Sequence, residues 1–510
     1  MDPSIPNSNT SRNLDADGKP LYPSIYEFDV FEMINKNGDR KNISHLVTSF
    51  VIAEEIFSPV LTAKIRIRDN DNFFESFGLD GQEIVKVRIK YLGSLDGGEM
   101  VYEYLEHEFV VKDYPLFEKT KESINVQEYE INLISPVAYL SRLQQMSRGV
   151  QENPIEAIRF IFEKYLATSK FDYRGEENGY LCKTNNLKAV ITQRTPLQAI
   201  EYLRSLCFDK ENSPFFVYAT LVDGGIIARS WLDIIDNITN PLYKPAEDED
   251  SYRIKPFSDE AKPGTIESLK ELRSKIISLS SNIKLDKLSQ AVAGGMGSVT
   301  EVIDLEKRSY DEERVFPKTA TIDDKGAYRF RDEMNIRRGI GEATRSQVDL
   351  GFDFNFLKNL DFMSIADLAP VLDNVLDDPR MSQSVYYLPI DPHFGEWISP
   401  AHLKREALPK ARKYFANMET KTHEIGVYGD PNLKAGTKIK IEIPKAVDTN
   451  EDDPGIDETL SGFYIVSTSI HTFENGVYTN RLRIINDKNV IPPPQLPDDG
   501  SIPNSFNNIG

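Results

Sequence analysis

Residues 423–486 read HEIGVYGDPNLKAGTKIKIEIPK, then an acidic loop, then LSGFYIVSTSIHTFENGVYTNRLRIIN. Ile439, Ile441 and Ile443 alternate with Lys438, Lys440 and Glu442, the period of a strand with one wet face. Tyr464, Val466 and Ile470 continue the pattern, and Leu482 and Ile484 alternate with Arg481 and Arg483. Gly429-Asp430-Pro431-Asn432, Ala435-Gly436 and Asn475-Gly476 supply turns, because Gly and Asn tolerate positive φ and Pro pre-sets it. The stretch predicts a small antiparallel sheet.

An earlier segment repeats the plan. Leu79, Gly81, Val85, Val87 and Ile89 correspond to Leu433, Gly436, Ile439, Ile441 and Ile443. Phe109-Val110-Val111 answers Tyr464-Ile465-Val466, and Tyr129 with Leu133 answers Tyr478 with Leu482. The chain therefore reads as two related sheet modules about three hundred residues apart, far beyond the roughly 20–50-residue periods of solenoids.

The 510 residues are enough for two to four domains, and no apolar run approaches the length that spans a bilayer. The polar N-terminus lacks the basic-then-apolar pattern of a signal peptide. Cys182 and Cys207 are too few for a disulfide framework or a zinc site, and read as reduced packing thiols. A net charge of −20 argues against a protein that grips nucleic acid, which needs clustered Lys and Arg.

Taken in order, residues 1–21 form an N-terminal arm and residues 22–135 a first tube-like β-barrel domain. Its strands lie around Tyr26–Val30, Val47–Ile52, Leu61–Arg68, Val85–Tyr91, Phe109–Lys112 and Glu128–Leu133. Asp69-Asn70-Asp71-Asn72 is a turn, since the glycine and closing glutamate of a calcium loop are missing. Residues 136–245 carry three short helices, each with proline in its first turn (Pro136, Pro154, Pro196), and then a hairpin of Phe215–Ala219 and Gly225–Ala228. The third helix spans Pro196–Phe208 and places Cys207 on its apolar side. The hairpin is a candidate to join the second barrel.

Residues 246–420 form a connector and insertion. Leu269, Leu272, Ile276, Leu279 and Ile283 recur at heptad spacing and predict a helix over 265–290, either a short coiled coil or a helix lying on its own domain. Ala291–Gly297 breaks it, and Ala411–Met418 ends a helix leading into residues 421–490, the main part of the second barrel domain. Residues 491–510 are a Pro-rich tail, extended along a neighbour or free. The fold class is α+β and β-rich, with two tube-like antiparallel β-barrel domains and intervening helical segments.

Residues for catalysis are hard to find. The six histidines are scattered, and no HExxH, nucleophile elbow or Walker A loop is present. Gly339-Ile340-Gly341 lacks the third glycine of a dinucleotide fingerprint. His423 and His471 share the C-terminal module, but read as hydrogen-bonded strand residues rather than metal ligands. Acidic runs such as Glu247–Asp250 and Glu451–Asp453 read as solvated loops. No catalytic, cofactor or metal site is assigned.

The order barrel, short helices, hairpin, insertion, barrel resembles the central baseplate hub proteins of contractile-tailed, T-even-like bacteriophages and the hub-like part of type VI secretion spikes. The resemblance is carried by Phe77–Glu83, by Tyr129–Ser135 with the helix after it, and by Thr195–Ile200 with Phe215–Ala228. Most specific are Gly429–Gly436 and Ser461–Val466 with Ile470, His471, Tyr478 and Leu482. About half the chain is covered; residues 245–345 and parts of 346–420 have no counterpart. The resemblance implies a structural virion protein of the tail baseplate, made in the bacterial cytoplasm and without stable membrane insertion. It implies a homotrimer whose six modules adapt the sixfold tail tube to a threefold central spike, and through which DNA passes unbound. Its partners would be the spike protein, tube or tube-initiator proteins, and baseplate wedge proteins. A hub of another contractile injection system and a cell-wall hydrolase housed in 245–420 are the alternatives. Gly81, Asp430, Pro431 and Gly436 are the expected structural turn residues.

Overall fold

In a computed structural model of the chain, the described residues are 22–94, 101–119, 126–174, 179–222, 224–235, 272–283, 421–445 and 460–485, with shorter pieces between 252 and 457. The N-terminal arm, the Pro-rich tail, the loop at 339–341, the breaker at 291–297 and both acidic runs lie outside them. The first part holds β1 (Tyr26–Ile34), β2 (Arg40–Asn42), β3 (Val47–Glu55), β4 (Thr62–Asp69), α1 (Phe73–Phe77), β5 (Ile84–Ser94), β6 (Val101–Lys119) and β7 (Gln127–Ile134). Next come α2 (Pro136–Arg142), β8 (Met146–Glu152), α3 (Pro154–Tyr165), β9 (Phe171–Tyr173), β10 (Leu187–Arg194), α4 (Pro196–Arg204), β11 (Phe215–Ala219), β12 (Ile226–Ser230) and α5 (Trp231–Ile235). The middle holds β13 (Tyr252–Arg253), β14 (Ile276–Ile283), β15 (Ser298–Asp304), β16 (Ser309–Val315), β17 (Thr321–Ile322), β18 (Tyr328–Arg329) and β19 (Gln383–Leu388). The last part is β20 (Lys421–Tyr428), β21 (Lys438–Glu442), β22 (Gly462–Glu474) and β23 (Val477–Ile485).

Alternation fixes the strands. In β4, Ala63, Ile65 and Ile67 are buried while Lys64, Arg66 and Arg68 face water. The helices begin where side chains satisfy orphan N–H groups. Thr195 and Gln198 form a reciprocal capping box before α4, and the Asn153 side chain accepts from Ile155 N–H at the start of α3.

One 13-stranded sheet dominates, and it is open: its path runs β14-β20-β23-β22-β3-β4-β7-β6-β5-β1-β2, with β21 and β13 continuing from β22. Among the described strands, the two expected barrels are thus two five-stranded units of one sheet, β3-β4-β7-β6-β5 and β14-β20-β23-β22-β21.

The units match in register. Ile84 and Val85 face Val110 and Phe109 across β5/β6; Lys438 and Ile439 face Ile465 and Tyr464 across β21/β22. Beside these pairs, Val111 N–H donates to the Glu83 carbonyl at 2.9 Å and Val466 N–H to the Thr437 carbonyl at 2.8 Å. Across β6/β7, Val111 faces Leu133 and the register slips before Asp113 faces Asn132. Across β22/β23, Val466 faces Ile484 and slips before Thr468 faces Arg483. Across β3/β4, Val47 faces Ile67 and slips before Ser49 faces Arg66. Across β14/β20, Ile276 faces Val427 and slips before Ser278 faces Gly426. A one-residue slip turns every following side chain to the other face, so coincident bulges mark one plan used twice.

Two sequence expectations are corrected here. Ile276–Ile283 is not helical but a strand paired with β20. Its β-branched isoleucines and serines are weak helix formers, and the edge of β20 offers a ladder that a two-heptad helix cannot match. The helix predicted over Pro196–Phe208 stops at Arg204, where Leu206 N–H and Cys207 N–H close tight turns onto Leu203 and Arg204. Cys207 is nevertheless fully buried, as is Cys182 to all but 4%.

The hairpin β11–β12 does not enter the large sheet; with β9 it forms its own three-stranded sheet. Its Phe216 and Tyr218, with Trp231, pack with Ala435, Ile465 and Ile485 of the second unit. Ala411, Tyr414, Phe415 and Met418 are helical, and of these Tyr414 and Met418 join the same cluster.

Candidate functional site

The two units are fused along one seam, where β22 pairs antiparallel with β3 from Thr468 opposite Glu55 to Glu474 opposite Ser49. Phe473 lies opposite Phe50 with the rings stacked 6.1 Å apart, and Phe473 stacks in turn on Tyr478 at 4.4 Å. Phe31 and Phe109 meet Phe50 edge-on, so apolar contact and a backbone ladder hold the seam together.

A buried carboxylate locks it from below. Glu54 of β3, 1% exposed, accepts from Leu221 N–H at 2.5 Å and from Ala435 N–H at 2.7 Å. It thereby ties the first unit to the residues after β11 and to the Ala435-Gly436 turn of the second. The backbone of Leu221 is held a second time, where its carbonyl lies 2.6 Å from His107 Nε2. A carbonyl can only accept, so His107 carries its proton on that nitrogen. Burial, the largest influence, pushes the His107 pKa below its usual range, partly opposed by that carbonyl and by Glu54.

His471, fully buried, sits 3.7 Å from Glu54 through Nε2. Its Nδ1 meets Tyr478 Oη at 2.7 Å and Asn480 Nδ2 at 3.3 Å. Both can donate, which makes Nδ1 an acceptor and leaves the proton on Nε2, facing the carboxylate. His423 is held separately, with Nε2 2.9 Å from Tyr464 Oη and Nδ1 2.9 Å from Ser281 Oγ. Both histidines are hydrogen-bonded strand residues, and among the described residues no group of three metal-binding side chains occurs.

The four predicted turn residues fall into the matching corners of the two units. Gly81 has φ +91° and donates its N–H to the carboxylate of the buried Glu83, which also accepts from Asp80 N–H and from Tyr114 Oη at 2.8 Å. In the second unit, Asp430 accepts from Asn432 N–H at 2.9 Å and exchanges two hydrogen bonds with the Asn480 side chain, while Pro431 is buried beside it. Gly436 has φ +81° and donates to the Val466 carbonyl at 2.8 Å. A Cβ built on it would lie 2.5 Å from Tyr218 Oη, so this turn is also the contact between the second unit and the hairpin. Asp430, Pro431 and Gly436 thus share one corner, and Gly81 occupies the corresponding corner of the first unit.

Sequence reasoning passed over Glu54. The signal was available: Phe50, Ile52 and Ile56 are inward positions of one alternation, and Glu54 falls on the same side. A lone acid among inward apolar positions marks a buried partner site.

No protein-family model matches the chain, and no curated protein matches it. Among solved structures, the chain is similar to the tail protein from Neisseria meningitidis, at 11% identity and TM-score 0.45, covering 91% of this chain and 97% of that one. It is similar to the 43 kDa tail protein of prophage MuSo2 from Shewanella oneidensis, at 8% identity and TM-score 0.42, covering 91% and 98%. It is also similar to prophage tail protein gp18 from Listeria monocytogenes, at 10% identity and TM-score 0.38, covering 91% and 96%.

Proposed function

We propose that the chain is a structural hub of a phage tail baseplate, a homotrimer in which each subunit contributes two tube-type modules to a ring of six. One observation carries this reading: the same five-stranded plan occurs twice in one chain, with one register slip shared by β3/β4 and β14/β20 and another shared by β6/β7 and β22/β23. A molecule so built can present near-sixfold surfaces while obeying threefold symmetry, which is what a junction between a sixfold tube and a threefold spike requires. Each module would close as a barrel-like element of the ring. One face docks the tail tube or its initiator, the other holds the central spike, and wedge proteins flank the rim.

The role is mechanical rather than catalytic. The buried histidines His423 and His471 are spent on tyrosines, and the buried acids Glu54 and Glu83 accept backbone N–H groups. The net charge of −20 suits a conduit through which DNA slides without sticking.

Light scattering on the purified chain over a range of concentrations tests the reading. A mass of three subunits that persists on dilution, with near-sixfold symmetry by electron microscopy, is the expected outcome. A monomer at the highest concentration overturns it.

A further inference from the structure

Two nucleophilic side chains in the core take no part in the seam. Cys182 follows the exposed Leu181 between β9 and β10, and Cys207 follows α4; both are free thiols, 4% and 0% exposed. Their backbones already run side by side, because Lys183 N–H donates to the Phe208 carbonyl at 2.8 Å, one residue beyond each cysteine. The thiols are neighbours as well. The Cys207 S–H has two acceptors in reach, the Leu203 carbonyl at 3.3 Å and the sulfur of Cys182.

We propose that Cys182 and Cys207 are the reduced form of a redox pair, which hydrogen peroxide converts to a disulfide with Cys182 as the nucleophile. The bond itself does not depend on the baseplate reading. On that reading, the pair stays reduced while the protein is made in the cytoplasm and closes after the particle leaves it. The surroundings of the two sulfurs divide the roles. The Cys207 thiol, the largest influence, draws the Cys182 pKa down, and the N–H groups of Thr184 and Phe208 help it against the opposing effect of burial. Burial drives the Cys207 pKa well up, and the neighbouring Cys182 adds to the rise. Cys182 is therefore the sulfur that takes negative charge, and it lies one residue from the surface at Leu181, whereas Cys207 is fully enclosed.

The chemistry balances with peroxide as the one co-reactant. The Cys182 thiolate attacks one peroxide oxygen, the O–O bond breaks, and the departing oxygen takes up a proton to leave as water, so Cys182 becomes a sulfenic acid. The Cys207 sulfur then attacks the Cys182 sulfur, its proton leaves with the hydroxyl as a second water, and the S–S bond remains. Two thiols are oxidised and one peroxide is reduced to two waters. An oxidant the size of water suits a site this enclosed, where a bulky disulfide reagent has no entry. Disulfides form only between backbones already close together, with Cα atoms within about 7 Å, and the Lys183–Phe208 hydrogen bond holds these two together at the next residue. The bond ties the stretch before β10 to the end of α4 inside the one core that holds both sulfurs, and it constrains the unfolded chain.

Hydrogen peroxide on the reduced, folded full-length chain tests this, read by peptide mapping without reductant and by thermal unfolding. The expected product is a cross-linked peptide joining Cys182 to Cys207, with an unfolding midpoint raised by a few degrees and restored by dithiothreitol. Cys207→Ala should accumulate sulfenic acid at Cys182, trapped by dimedone, whereas Cys182→Ala should leave Cys207 unmodified. Dimedone on Cys207 instead overturns the assignment of the nucleophile. Both thiols intact after peroxide, a disulfide between chains, or sulfinic acid at Cys182 beside a free Cys207 overturns the pair, and the map of the native chain decides this even if neither variant folds. None of these outcomes moves the three-subunit mass that tests the ring.

Discussion

The carboxylate of Glu54 accepts a 2.7 Å hydrogen bond from the backbone N–H of Ala435, 381 residues further along the chain. A second oxygen accepts from Leu221 N–H, so one side chain satisfies two buried donors on two other segments. Glu54→Ala leaves both donors without an acceptor, at about 1–3 kcal/mol each. We expect a loss of roughly 3 kcal/mol or more in urea unfolding, against about 1 kcal/mol for the neighbouring Ile52→Val. A Glu54→Ala loss no larger than that of Ile52→Val would remove Glu54 from this role.

Gly436 and Gly81 both have positive φ, but only Gly436 has something above it. Alanine at 81 meets open space and costs the backbone term alone, about 1–2 kcal/mol. Alanine at 436 adds the collision with Tyr218 Oη and should cost about 2–4 kcal/mol. The test is a double-mutant cycle: Tyr218→Phe removes the colliding oxygen and should recover part of the Gly436→Ala loss while leaving Gly81→Ala unchanged.

Arg229 and Asp233 form a buried ion pair at 2.6 Å, with the guanidinium also donating to the Asp233 carbonyl at 3.0 Å. Asp233→Ala strands a cation in the interior and should destabilise by about 3–5 kcal/mol. Asp233→Asn, which keeps an acceptor, should lose less. Thermal unfolding of the two variants separates charge from hydrogen bonding.

Asp209 lies fully buried behind α4, accepting from Glu211 N–H and Ser213 N–H at 2.9 Å each. Burial pushes its pKa up to about 6 from 3.8, and the two N–H groups only partly restrain the rise. Between those values the folded state binds more protons than the unfolded one, so stability falls as pH rises through the window. The contribution is complete below about 3.8 and gone above about 6, at most roughly 3 kcal/mol. Asp209→Asn should flatten this slope, so the variant-minus-native stability difference grows between pH 5 and 8. A constant difference would contradict it.

His107 titrates with the opposite slope. Its folded pKa lies below the unfolded 6.5, so the unfolded chain binds the extra proton and stability drops as pH falls below about 6.5. His107→Gln, which can still donate to Leu221, should remove that part of the acid sensitivity. Urea midpoints at pH 5.5 and 7.5 measure it.

The doubling of the sheet was legible where alternation is clean and a glycine punctuates it, as in Val85–Ile89 against Ile439–Ile443. It was misaligned where residue types misled. Leu133 was matched to Leu482, but Val111 faces Leu133 and Val466 faces Ile484, so Ile484 is the counterpart. The bulges that set this register leave no mark in periodicity, because a bulge is defined by the partner strand. β14 was hidden for a related reason: its isoleucines and leucines fit heptad spacing, and only the edge of β20 decides for a strand. For β20 only His423 was read as a strand residue, and its extent stayed unmarked because Gly426 and Glu424 interrupt its apolar pattern. Positive φ, as at Gly81 and Gly436, is a local property that glycine signals in sequence, whereas Tyr218 above Gly436 is a contact between segments far apart in the chain.

Two copies of one strand plan in a single polypeptide set a problem of self-discrimination during folding. The nascent β4 emerges long before β20, and either could template the strand intended for the other. Misassembly of this kind is characteristic of tandem repeats. The chain tells its duplicates apart by side-chain chemistry: β3 carries Phe50, Ile52 and Glu54 on its inner face, and β14 carries Leu279 and Ser281 at the first two of these positions. Unlike residues at matched positions keep the geometry constant while making each strand a poor substitute for its twin.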